Sequence, residues 1–328
     1  MPSEHDYSTF HVLLTGGTGF FGRALLRNWI SQAQSGEKIA RVCVLSRNPQ
    51  NFLNNYPEFS EQSWLHFHQG DILNPVSLPY DEVFSHVLHA ATDSTIGPQL
   101  TPLKRYIQIV DGTRNMLEYA VEKKIPRFLL TSSGGVYGPQ PQGMASIHED
   151  YNGMPDPLRS EHAYSIAKRC AEHLCSLFRE NFGLQTVVAR CFAFVGKDLP
   201  LDAHFAIGNF INDALNERDI LVNGDGSPIR TYLDQRDLAI WLCTLMYSGV
   251  DGEAYNVGSD VQVSIQELAT IVRDTLAPRM LIVNSHQPNI NNFRNKYVPN
   301  ISKAREQFKL KVNYSLKQSI LDVAISKH

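Results

Sequence analysis

One stretch, Thr15-Gly16-Gly17-Thr18-Gly19-Phe20-Phe21-Gly22, constrains this chain more than any other. Before it stands the short β-prone run Val12-Leu13-Leu14. After it, Phe21, Ala24, Leu25, Trp29 and Ile30 recur with a helical rather than an alternating period. The glycines therefore fall where a strand passes into a helix. At such a junction Gly16 can take the tight turn, Gly19 can let the backbone approach a pyrophosphate, and Gly22 can let the helix pack closely on the strand. The free N–H groups of the first helical turn then face the anion. Thr18, Phe20 and Phe21 belong to the same cradle. The spacing is G-x-x-G-x-x-G, one residue longer than G-x-G-x-x-G, and a plain turn uses the same residues. The flanking strand and helix make dinucleotide binding the expectation.

The remaining pattern repeats this alternation. Arg41 to Leu45 reads as a second strand, Trp64 to His68 as a third, Val83 to Ala91 as a fourth ending in His89-Ala90-Ala91, and Arg127 to Thr131 as a fifth. Helical periods run from Pro102 to Lys124 and from Glu161 to Asn181. Strands and helices in this order specify an α/β fold, a doubly wound parallel sheet whose ligands bind outside the carboxyl ends of the strands. Ala90 and Ala91 are small enough for a cofactor to lie against. His89, alone at its strand end, is read as structural. At the end of the second strand an acid would select NAD by bonding the ribose 2′-hydroxyl. Here Ser46-Arg47 stands instead, which favours NADP(H) while leaving NAD(H) possible.

Composition limits the function classes. The chain has 328 residues, 43% of them hydrophobic, and a formal net charge of −3 without a run of Lys or Arg, so a nucleic-acid surface is not expected. No apolar run approaches the roughly 20 residues that span a bilayer. The first ten residues, with Glu4, His5 and Asp6, lack the pattern of a signal peptide, and a cytoplasmic protein is expected. Five cysteines (Cys43, Cys170, Cys175, Cys191 and Cys243) without C-x-x-C spacing suggest reduced, largely buried thiols rather than a disulfide framework or zinc site, and no metal is expected.

Chemistry should lie beyond Thr131, where the chain reads Ser132-Ser133-Gly134-Gly135-Val136-Tyr137-Gly138. In the following helix Tyr164 and Lys168 are four apart and share a face. A free tyrosine titrates near 10, too high for a base at neutral pH, and an adjacent ammonium favours its phenolate. Tyr164 could then exchange a proton with a substrate hydroxyl, with Ser133 holding the same oxygen. Tyr119 and Lys123 have identical spacing and are read as a surface pair, because no serine-bearing strand end precedes them.

Taken together, Thr15-Gly16-x-x-Gly19-x-x-Gly22, Gly70-Asp71-Ile72, Ser132-Ser133 and Tyr164-x-x-x-Lys168 resemble the extended short-chain dehydrogenase/reductase family, in particular its NAD(P)-dependent nucleotide-sugar epimerases, dehydratases and reductases. The resemblance covers nearly the whole chain. It implies that Asp71 and Ile72 flank the adenine, that Ala90, Ala91 and Ser132 lie along the cofactor, and that Ser133, Tyr164 and Lys168 are catalytic. It further implies that Arg230, in Val222 to Arg230, grips the substrate diphosphate, with Arg294 a second candidate. Residues 1–196 would form the cofactor domain and 197–328 mainly a substrate lobe interleaved with the end of the sheet. The two long helices resemble those of a homodimer interface.

The chain departs from the family pattern at Gly134 and Gly135, where dehydratases carry Asp-Glu and decarboxylases a glutamate. Glycine offers no side-chain acid, so 4-epimerisation or 4-keto reduction of a nucleotide sugar is expected over dehydration or decarboxylation. Glu149 or His162 could replace the missing acid. Ala193 and Ile109 stand where many relatives have asparagine. A reductase of a non-sugar ketone and a non-catalytic cofactor-binding protein are the alternatives.

Overall fold

The alternating pattern forms a seven-stranded parallel sheet in the computed structural model, which describes residues 9–92, 100–201, 205–286 and 295–327. Glu4, His5, Asp6 and Arg294 lie outside the described residues. The strands are β1 (His11–Thr15), β2 (Arg41–Ser46), β3 (Leu65–Gln69), β4 (His86–His89), β5 (Arg127–Ser133), β6 (Gln185–Cys191), β7 (Phe194–Val195), β8 (Ile220–Val222), β9 (Ile229–Arg230), β10 (Leu233–Asp234), β11 (Ala254–Val257), β12 (Val263–Ser264) and β13 (Ile282–Asn284). The large sheet has the order β3-β2-β1-β4-β5-β6-β11. Its sequence order reverses at β1, where Leu14 pairs with Val44 of β2 on one side and Leu88 of β4 on the other. That reversal is where such sheets open a crevice for a ligand. Val12, Leu13, Leu14, Val42, Cys43 and Val44 are wholly buried, as expected of strands covered on both faces.

The helices are α1 (Phe20–Gln34), α2 (Pro49–Asn55), α3 (Pro102–Glu122), α4 (Ala163–Phe182), α5 (Ala206–Leu215), α6 (Gln235–Ser248), α7 (Ile265–Leu276), α8 (Ser302–Phe308) and α9 (Leu316–Ile325). Local chemistry sets their ends. Thr101 accepts a hydrogen bond from the Lys104 N–H and Pro102 opens α3, while Gly183, left-handed at φ 70°, ends α4. Two expectations need correction. The fourth strand begins at His86 rather than Val83, because Val83 is exposed and its carbonyl is taken by the His11 ring. Tyr119 is not a surface residue. It is buried on the core face of α3 with Met116 and Ala120, and its hydroxyl donates to the Pro79 carbonyl at 2.8 Å.

Contacts divide the chain into two units, one of residues 1–132, 157–189 and 239–254, the other of 133–156, 190–238 and 255–328. In the first, Leu13, Cys43, Val87, Phe128 and Leu130 from the sheet pack with Met116, Leu117 and Tyr119 of α3 and Ala167, Ala171 and Cys175 of α4. In the second, Val136, Tyr137, Ile147 and Phe192 form a small core, and α5 packs on α7 and α9. Asn256 ties that core by accepting from the Tyr137 hydroxyl and donating to the carbonyls of Ile147 and Asn300. All five cysteines are free, four of them buried. No helix among the described residues is long and apolar enough to cross a membrane.

Candidate active site

The cradle forms as its glycines require. Gly16 has φ +73°, and a Cβ there would stand 2.4 Å from the Ala90 carbonyl oxygen, so only glycine brings the end of β1 against the end of β4. A Cβ on Gly22 would collide with the Gly17 backbone at 2.2 Å, which fixes how α1 leaves the turn. Gly19 is exposed, caps α1 without a side-chain hydrogen bond, and donates its own N–H to the Gly16 carbonyl at 3.1 Å. The first-turn N–H groups of α1 thus have no side-chain cap, the arrangement that accepts a pyrophosphate. Thr18, Phe20 and Phe21 are half-buried around it.

Thr15 locks the neighbouring strand ends. Its Oγ1 lies 2.8 Å from His89 Nδ1 and accepts the Ala91 N–H at 3.2 Å, while His89 Nε2 lies 3.3 Å from Thr113 Oγ1. Both ring nitrogens of His89 therefore meet hydroxyls, and burial followed by the Lys168 charge pushes its pKa down to about 3. It is a neutral structural histidine. Asp71 forms a turn by accepting the Leu73 N–H at 2.9 Å, and Ile72 is buried against Gly112 of α3, its carbonyl accepting from Asn115. Arg47 is exposed just past β2, and its carbonyl accepts from Gln69 at 3.4 Å.

On α4, Lys168 is buried, and its ammonium donates to the Thr131 carbonyl at 2.8 Å and the Thr92 hydroxyl at 2.7 Å. Its charge is thereby held at the carboxyl ends of β4 and β5. Tyr164, one turn earlier, is half-buried against the core with the Arg105 guanidinium 5.8 Å from its ring centroid. A third member of this helix face was missed in the sequence. Glu172, four residues beyond Lys168, accepts from the Ser132 hydroxyl at 2.5 Å and so clamps α4 to β5. The i,i+4 spacing was the available signal.

In the second unit, Ser133 is buried and its Oγ accepts the Gly135 N–H at 3.1 Å. Gly134 is boxed in: a Cβ there would stand 2.6 Å from the Tyr297 hydroxyl and 2.7 Å from Phe192 Cζ. The aromatic pair Phe192 and Tyr297, with ring centroids 4.6 Å apart, fills the space where an acidic side chain would lie. Arg230 donates to the carbonyls of Ile229 and Asn295 at 2.8 and 3.0 Å. Among the described residues no carboxylate pairs with it, and burial holds its guanidinium below the usual range. Tyr232 and Tyr297 lie within its field, and burial pushes the Tyr232 hydroxyl up to about 12. A partly buried cation without a counter-ion suits an incoming anion. Neither Phe192 nor Tyr297 was singled out from the sequence, because neither carries a motif.

Comparison with known proteins places the chain among sequence and structural relatives. The sequence profile of the NAD dependent epimerase/dehydratase family matches residues 12–258. UDP-glucuronic acid decarboxylase 1 of Arabidopsis thaliana is 29% identical over 94% of this chain and 68% of its own length. The structure of UDP-glucose 4-epimerase with UDP-glucose from Thermotoga maritima superposes with TM-score 0.80 at 20% identity, covering 97% of this chain and 98% of that one. The structure of RMD from Pseudomonas aeruginosa complexed with NADPH gives 0.77 at 23% identity, covering 97% and 98%.

Proposed function

This chain belongs to the NAD dependent epimerase/dehydratase family, enzymes of the extended short-chain dehydrogenase/reductase type, and on that premise we propose that it is a nucleotide-sugar 4-epimerase or 4-ketoreductase. The carrying observation is the pair Gly134-Gly135. Dehydratases of the family carry Asp-Glu and decarboxylases a glutamate just before the Val-Tyr-Gly, whereas here both positions lack a side chain, and Phe192 and Tyr297 stand against Gly134. What remains is chemistry that needs a hydride and one proton.

A bound nicotinamide dinucleotide supplies the acceptor and donor of the hydride. The uncapped start of α1 holds its pyrophosphate, Asp71 and Ile72 flank its adenine, and Ala90, Ala91 and Ser132 leave room for its length. Tyr164 takes the proton from the sugar hydroxyl and returns it. The Lys168 ammonium, buried and anchored on Thr131 and Thr92, favours the phenolate form that this requires. Ser133 holds the reacting oxygen, by the family pattern. Arg230 donates to the diphosphate, with Arg294 as a second contact.

Arg47 after Ser46 supports NADP(H), with NAD(H) the alternative. Exposed Leu103 and Ile107 on α3 and Leu177 and Phe182 on α4 support a homodimer through these helices. The free thiols fit a reducing cytoplasm.

The test is to denature purified protein, identify any nucleotide released, and titrate stripped protein with NADH and NADPH. A net reductase has an empty site that prefers NADPH. An epimerase releases near-stoichiometric NAD. The relatives named for UDP-glucuronic acid decarboxylation favour a second reading. Release of carbon dioxide from UDP-glucuronate would overturn the proposal.

A further inference from the structure

A second cluster of reactive side chains stands at the amino ends of the strands, away from the glycine turn. His11 opens β1, His66 is in β3 and Glu82 lies in the segment before β4. Side chains two apart along a strand share a face. The registers Leu13 to Cys43 and Cys43 to His66 therefore place His11, Leu13, Cys43 and His66 on one side of the sheet. One ligand atom from each of His11, His66 and Glu82 lies within 4.8 Å of the other two. His66 Nε2 is 2.8 Å and His11 Nε2 is 3.5 Å from Glu82 Oε2.

The His11 ring is held by its other nitrogen. Nδ1 lies 2.8 Å from the Val83 carbonyl, which can only accept, so Nδ1 carries the hydrogen. In the neutral ring Nε2 then presents a lone pair. That atom is buried without a hydrogen-bond partner, and it faces a carboxylate oxygen that also offers only lone pairs. Two acceptors facing each other in this way call for a cation between them.

We propose that His11, His66 and Glu82 form a site for one borderline divalent transition-metal ion, of which Zn²⁺ is the type. Neutral imidazoles and a carboxylate are a suitable donor set, and tetrahedral coordination at Zn–N and Zn–O lengths near 2.0 Å sets ligand atoms about 3.3 Å apart, between the two separations seen here. To ligate through Nε2, His66 gives up its Nε2 hydrogen in favour of the Nδ1 tautomer. The His66 and Glu82 side chains are 38% and 25% exposed, which gives an entry path and an open fourth position for water. The Val83 carbonyl on His11 Nδ1 and the Cys43 thiol, 3.7 Å from the other Glu82 oxygen, are the supporting contacts such ligands require. Arg41 opposes a cation and limits affinity. The ion joins β1, β3 and the entry to β4, so it acts on stability rather than turnover.

The test titrates the tag-free full chain with Zn²⁺ in competition with a chromophoric chelator. One ion per chain binds with a dissociation constant at or below about 10 μM, and the melting temperature rises with free Zn²⁺ while turnover stays within about twofold. His66→Ala and Glu82→Gln each weaken binding by at least about tenfold. His68→Ala, two residues along β3 with its Nε2 on the Ser77 carbonyl, leaves it unchanged. Co²⁺ bound to unmodified protein gives the intense visible bands of a four-coordinate centre, a readout independent of any substitution. The proposal is overturned if unmodified protein has no site tighter than about 100 μM, or if affinity survives in both His66→Ala and Glu82→Gln.

Discussion

Two tyrosine–lysine pairs with the same spacing sit on neighbouring helices of one unit, and the fold inverts them. In α3 the tyrosine is buried: Tyr119 is 1% exposed and its hydroxyl is spent on the Pro79 carbonyl, while Lys123 reaches the Tyr80 carbonyl from the helix end. In α4 the lysine is buried: Lys168 is 3% exposed at the strand ends, and Tyr164 is left half-buried. Burial raises a phenol's pKa, and that is its direction at Tyr119. A buried, anchored ammonium does the reverse to a phenol beside it. Spacing creates the pair, and which member the core takes decides which one is left near the surface: the lysine at the end of α3, the phenol on α4.

The largest effect that could break this comparison is in turnover. Tyr164→Phe should lower kcat by about a thousandfold and leave cofactor affinity within about twofold. Tyr119→Phe should keep kcat but reduce unfolding free energy by about 1–2 kcal/mol, because the Pro79 carbonyl loses its donor. Steady-state assays and urea unfolding of both variants check this, and equal losses of activity would erase the distinction.

A smaller effect concerns the lysines. Lys168→Met should lower kcat about a hundredfold and move the basic limb of the pH–rate profile, whereas Lys123→Met should change neither. An unmoved pH profile for Lys168→Met would remove its role in favouring the phenolate.

A further effect is on stability with pH. His89 and His86 are pushed by burial to about 3 and about 4, Lys168 adding to the first and Arg127 to the second. Unfolded, both take up protons near 6.5, so between that pH and about 4 the unfolded chain binds more protons than the folded one. Stability is thus full above 6.5 and falls as pH drops, by about 1.4 kcal/mol per pH unit for each histidine. Urea unfolding between pH 7 and 5 should give this slope in the unmodified protein and in Tyr164→Phe alike. Lys168→Met should leave it nearly unchanged in this window, because burial is the larger cause at His89 and His86 does not feel Lys168.

Much of this was legible in sequence for a local reason. The glycine turn, the apolar strands and the helical periods of α1, α3 and α4 are written in residues close along the chain, and the structure gives them nearly the same bounds. Gly16 and Gly22 in particular declare a steric need that only a close backbone can impose. Tyr119 failed because the expectation rested on what precedes the pair rather than on the face it shares with Met116 and Ala120. Phe192, Tyr297 and the cluster of His11, His66 and Glu82 were illegible. Each is assembled from separate elements, and only the sheet register or the fold of the second unit brings its members together.

The walls around Gly134 carry a consequence for descent. An acid introduced there alone would strike the Tyr297 hydroxyl and the Phe192 ring, and trimming those rings first would open a cavity with nothing to fill it. Either order passes through a less stable intermediate. The three positions are therefore coupled, and a single exchange at this corner is resisted whichever residue changes first.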